Sequence, residues 1–89
     1  MNIELTLIGK PGCHLCEEAE AAVDRVLQVF LAANPSAGVS IKQLNILEDA
    51  DLASRYSEEI PVLLINGKVH NYWRIDEDRF ATALNALVS

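Results

Sequence analysis

The chemistry in this sequence is concentrated in Lys10-Pro11-Gly12-Cys13-His14-Leu15-Cys16, which holds both of its cysteines. Three residues of helix bring two Cα atoms to roughly 5–6 Å, the separation a disulfide prefers, so a Cys-x-x-Cys pair at a helix start reads as a redox device. As a staple it would achieve little, because chain entropy assigns so short a closed loop only about 2 kcal/mol. The other reading of two close cysteines is a zinc or iron–sulfur ligand pair. Two cysteines cannot complete a four-ligand site, and His14 and His70 do not form a recognisable zinc spacing. A metal is therefore not expected unless two chains share it.

Composition narrows the setting of that chemistry. The 89 residues suffice for one domain, 1–89, with one core; 51% are hydrophobic and 22% charged, an ordinary globular balance. A net charge of −6, with seven Lys and Arg scattered along the chain, argues against nucleic acid and leaves a basic partner open. The longest apolar run, Ile60 to Ile65, is too short to span a bilayer, so no membrane association is expected. Neither a basic leader nor a small-residue cleavage site precedes Ile3. The expected location is therefore cytoplasmic, where paired cysteines are more often catalytic or metal-binding than structural.

The elements that must position the pair follow from periodicity. Ile3 to Ile8 alternates apolar and polar and then ends in two apolar residues, which predicts a strand running straight into Gly9 and the cysteine loop. From Cys13 to about Ala33 the period becomes helical, with Ala19, Val23, Val26, Phe30 and Ala33 as its core stripe and Glu17, Glu18 and Glu20 near the positive end of the dipole. Asn34-Pro35-Ser36-Ala37-Gly38 stops that helix. A second strand is expected over Val39 to Ile46. Val39 and Ile41 share one face while Leu44 and Ile46 share the other, so a bulge or a doubly buried end is required there. Glu48, Asp49 and Asp51 are cap candidates for a short helix through Tyr56. Val62 to Ile65 reads as a central strand, Asn66-Gly67 as a type I′ hairpin turn, and Lys68 to Trp73 as an edge strand. Asp76 is then placed to cap a last helix with Phe80, Leu84, Leu87 and Val88 as its stripe. The order β-α-β-α-β-β-α predicts an α/β protein, with a four-stranded mixed sheet carrying helices on both faces.

Lys10-Pro11-Gly12-Cys13-x-x-Cys16 after a first strand, Ile60-Pro61 before the third and Asn66-Gly67-Lys68 in the hairpin resemble the thioredoxin fold, and within it the glutaredoxins. The resemblance implies a thiol–disulfide oxidoreductase in which Cys13, favoured as a thiolate by the helix N-terminus, attacks a disulfide and Cys16 resolves the mixed disulfide. It implies a cis bond at Ile60-Pro61, with the Ile60 backbone available to a bound cysteinyl strand. Lys10 corresponds to a lysine that meets a glutathione carboxylate, or else is simply solvated. His14 stands where many glutaredoxins have proline and is either a tuning group or an exposed turn residue, while Glu17 and Glu18 oppose a thiolate. The expected Gly-Gly turn and acidic pair after the hairpin are replaced by Val69-His70-Asn71-Tyr72-Trp73-Arg74-Ile75-Asp76. Asp76 either offers a carboxylate or only caps, and Tyr72 and Trp73 either pack on the sheet edge or reshape the groove. The resemblance thus implies no bound cofactor and a monomer. Its partner would be a disulfide-containing protein or glutathione as co-substrate, with glutathione or a flavoprotein reductase restoring the dithiol. From a different class comes a redox-silent module that holds an iron–sulfur cluster or a partner in the same groove.

Overall fold

The computed structural model describes residues 2–88. Its order is β1 (Asn2–Gly9), α1 (His14–Ala33), β2 (Gly38–Asn45), a 3₁₀ turn at Ile46–Glu48, α2 (Ala50–Tyr56), β3 (Val62–Ile65), β4 (Lys68–Tyr72) and α3 (Glu77–Val88). The sheet runs β2-β1-β3-β4, with β1 parallel to β2 and antiparallel to β3. This is the mixed four-stranded sheet expected from the order of elements.

Alternation along the strands divides the interior into two clusters. Ile3, Leu5, Leu7 and Leu63 face Val23, Val26, Leu27 and Phe30 of α1 and Phe80 and Leu84 of α3. Ile8 and Val62 point the opposite way, toward Ile46, Ile60 and the Leu52, Ala53 and Tyr56 side chains of α2. Because α2 has only seven residues, it covers one end of its face. On that face Val62 is therefore fully buried, whereas Leu64 is half-buried.

Three local expectations are corrected. The irregularity anticipated in β2 is absent: its register with β1 is unbroken from Asn2 opposite Gly38 to Gly9 opposite Asn45. The strand ends at Asn45, whose Oδ1 accepts from Leu47 N–H at 2.8 Å, and the turn rather than a bulge carries Ile46 into the interior. The register shift instead separates Leu63 and Leu64 in their pairing with β4, where His70 is the extra residue between Val69 and Asn71. Ala33 is exposed at the end of α1, and the buried stripe takes in Ala22 and Leu27 instead. Finally, β4 stops at Tyr72, because Trp73 leaves the strand with φ of 60°. Asn66 and Gly67 both have positive φ, 51° and 84°, as the type I′ turn requires.

Candidate functional site

Cys13 is the N-cap of α1, and its Sγ accepts a hydrogen bond from Cys16 N–H at 3.2 Å. The first amides of a helix have no partner within it, so one of them is turned onto this sulfur. Gly12, at φ of 74°, makes the turn into the cap, a conformation that costs a residue with a Cβ about 1 kcal/mol or more. Both cysteines are free thiols, and both lie partly buried against the cluster of Ile8, Ile60 and Val62.

Cys16 sits one turn deeper, and its thiol is pushed up from 9.0 to about 11. Burial is the largest cause, followed by its hydrogen bond to Cys13; negative charge on Cys13 adds to both. The Lys10 N–H and ammonium pull the other way, which puts Lys10 beside the inner sulfur. Gly9 makes room for that sulfur, because a Cβ there would come within 2.9 Å of Cys16 Sγ and 3.3 Å of its Cβ. Sequence reasoning did not single Gly9 out, since its only visible sign is a glycine where an apolar strand ends.

The Ile60-Pro61 peptide is cis, and Ile60 shares the apolar cluster with both cysteines while Pro61 is fully buried next to it. Trp73 straps this loop from the far side. Its N–H donates to Pro61 O at 2.7 Å and its indole Nε1–H to Glu58 O at 3.1 Å, although the ring is 53% exposed. Trp73 is thus tied by two hydrogen bonds to the segment around Pro61 with much of its surface open to solvent. Tyr72 lies against it with ring centroids 6.1 Å apart.

The other two expected residues are engaged elsewhere. His14 is exposed and its Nε2 lies 3.3 Å from Glu18 Oε1. Asp76 Oδ1 accepts from Arg79 N–H at 3.1 Å as the cap of α3. Among the described residues, no group of three or more His, Cys, Asp or Glu side chains is placed to hold a metal ion, and no helix is long and apolar enough to cross a membrane.

Known proteins are similar to this chain in fold and sequence. A thioredoxin variant of Halobacterium salinarum superposes with a TM-score of 0.61 at 18% identity, over 98% of this chain and 75% of its own, which shows the thioredoxin fold. The crystal structure of a protein from X. campestris gives a TM-score of 0.71 at 28% identity, covering 92% of this chain and 96% of the other. An uncharacterised protein of Mycobacterium tuberculosis is 24% identical over 81 residues, 85% of this chain and 76% of the relative. The family described as Glutaredoxin-like domain (DUF836) matches residues 4–85. With that match running from the first strand into the last helix, the chain belongs to the glutaredoxin-like (DUF836) family.

Proposed function

We propose that this protein is a small cytoplasmic thiol–disulfide oxidoreductase that reduces protein or glutathione mixed disulfides with the Cys13/Cys16 dithiol. The observation that carries this reading is the pair itself: Cys13 caps α1 with its sulfur on the Cys16 amide, and Cys16 is held behind it as a thiol.

In the forward direction Cys13 thiolate attacks one sulfur of the substrate disulfide, the other sulfur leaves as a thiolate, and a mixed disulfide forms. Two of the causes that hold the Cys16 proton, the hydrogen bond to Cys13 and the charge on Cys13, then disappear. Lys10, whose N–H and ammonium favour the Cys16 thiolate, remains in place. Cys16 loses its proton and attacks Cys13, and the substrate's second thiol is released. Two electrons have passed from the dithiol to the substrate, and glutathione or a flavoprotein reductase must return them.

The test is to trap the intermediate in Cys16→Ser. Reaction with oxidised glutathione or with a disulfide-containing protein is expected to leave an adduct on Cys13 that mass spectrometry identifies and that Cys13→Ser lacks. No adduct from either source, with wild type inactive in disulfide reduction, would overturn the assignment.

A further inference from the structure

Two adjoining clefts of about 450 and 540 Å³ run along the outer side of α1 and meet at Leu7, Glu17, Glu20 and Gln43. The larger begins at Lys10 and Cys16, and the smaller continues past Asp24 and Ile41. Their outer wall is β2, the edge of the sheet, whose far side pairs with no strand among the described residues. An open edge of this kind offers main-chain donors and acceptors to an extended segment.

The charges in the groove are one-sided. Glu17, Glu20 and Glu48 line the larger cleft against the single cation Lys10, and none of the three carboxylates has a salt bridge among the described residues. Asp24 extends the same row, its carboxylate meeting, among the described residues, only the neutral amide of Gln28 at 3.1 Å. Lys42 on β2 has the parity of the opposite sheet face from Ile41 and Gln43, so it does not neutralise them. Ile41, 48% exposed, adds an apolar patch to the wall.

We infer that the β2 edge and this groove receive an extended, lysine- or arginine-bearing segment of the protein disulfide that Cys13 attacks. The inference rests on the dithiol reading and names its substrate class. Free glutathione, an anion, meets carboxylates here, whereas a cationic strand meets unpaired carboxylates and an unpaired edge in continuity with Cys16.

The test uses the reduced full chain and three short peptides of one design. Each carries a single cysteine in mixed disulfide with 5-thio-2-nitrobenzoate, flanked by Lys, Gln or Glu, and the release of coloured thiol is followed at low salt. The Lys peptide is expected to react about tenfold faster than the Gln peptide, and the Glu peptide slower still. The Lys-to-Gln ratio is expected to shrink in high salt, in the triple variant Glu17→Gln/Glu20→Gln/Glu48→Gln, and when alternate amides of the Lys peptide are N-methylated. Equal rates for the three peptides, or a ratio untouched by the triple variant or by N-methylation, would overturn the groove while leaving the dithiol reading intact. Release from all three no faster than dithiothreitol produces at equal thiol concentration would overturn the dithiol reading and this inference with it.

Discussion

The proposed division of labour between two cysteines three residues apart rests on depth. Cys13 sits at the mouth of α1 with a backbone N–H on its sulfur, whereas Cys16 is drawn under Gly9 and against the apolar cluster. A thiol raised from 9.0 to about 11 is deprotonated about a hundredfold less at neutral pH. Limiting iodoacetamide at pH 7–8 is therefore expected to label Cys13 and spare Cys16, as read by peptide mass spectrometry. Labelling of Cys16 should rise only as the pH approaches 11; equal labelling of the two at pH 7 would contradict the assigned roles. Gly9→Ala tests the room allotted to the inner sulfur. The added Cβ collides with Cys16 Sγ, so the variant is expected to lose about 1–3 kcal/mol in urea unfolding and to close the Cys13–Cys16 disulfide more slowly than wild type.

Among the elements, the β4–α3 connection departs furthest from what the sequence pattern announces. His70 occupies the register shift in β4, with its ring 6.0 Å from that of Phe80 and its Nε2 buried without a hydrogen-bond partner. Burial lowers its affinity for a proton from the ordinary 6.5, the Arg79 guanidinium lowers it further, and Asp76 opposes both. Arg79 Nη1–H also donates to His70 O at 2.8 Å, which ties the bulge to α3. The sign follows from linkage. Above about 6.5 the folded and unfolded rings are both neutral, while below it the unfolded chain takes up a proton that the folded chain resists. Stability is expected to fall as the pH drops below 6.5, and His70→Phe should flatten that part of the profile in thermal melts. The Glu77 carboxyl, held below its ordinary 4.5 by the hydrogen bond from Arg25, contributes a separate loss only at more acid pH.

For the molecule as a whole, the end that carries the cysteines depends on a sheet clamped from both sides. Phe80 and Leu84 are fully buried between α3 and the strands, and they hold β1 and β3, the two strands whose ends carry Gly9 and Pro61. Leu84→Ala is expected to cost about 2–5 kcal/mol in urea unfolding through the cavity it leaves. A loss below about 1 kcal/mol would mean that α3 is not docked as described.

Periodicity and turn chemistry were enough for the sequence by itself to determine the element order, the faces of α1 and α3, the Asn66-Gly67 turn and the Asp76 cap, because each depends on neighbours a few residues apart. The Cys13-x-x-Cys16 spacing is likewise a local pattern, and the proposed dithiol chemistry is read from it. Only the tertiary structure decided where the irregularity falls. Ile46 can enter the interior through a turn, while β4 must shift register to fit His70 against Phe80. It also decided that Trp73 straps the Pro61 loop, that Gly9 yields space to Cys16 and that the open edge of β2 borders an acidic groove. These are contacts between distant segments, and local pattern carries no information about which side chain a folded neighbour will meet.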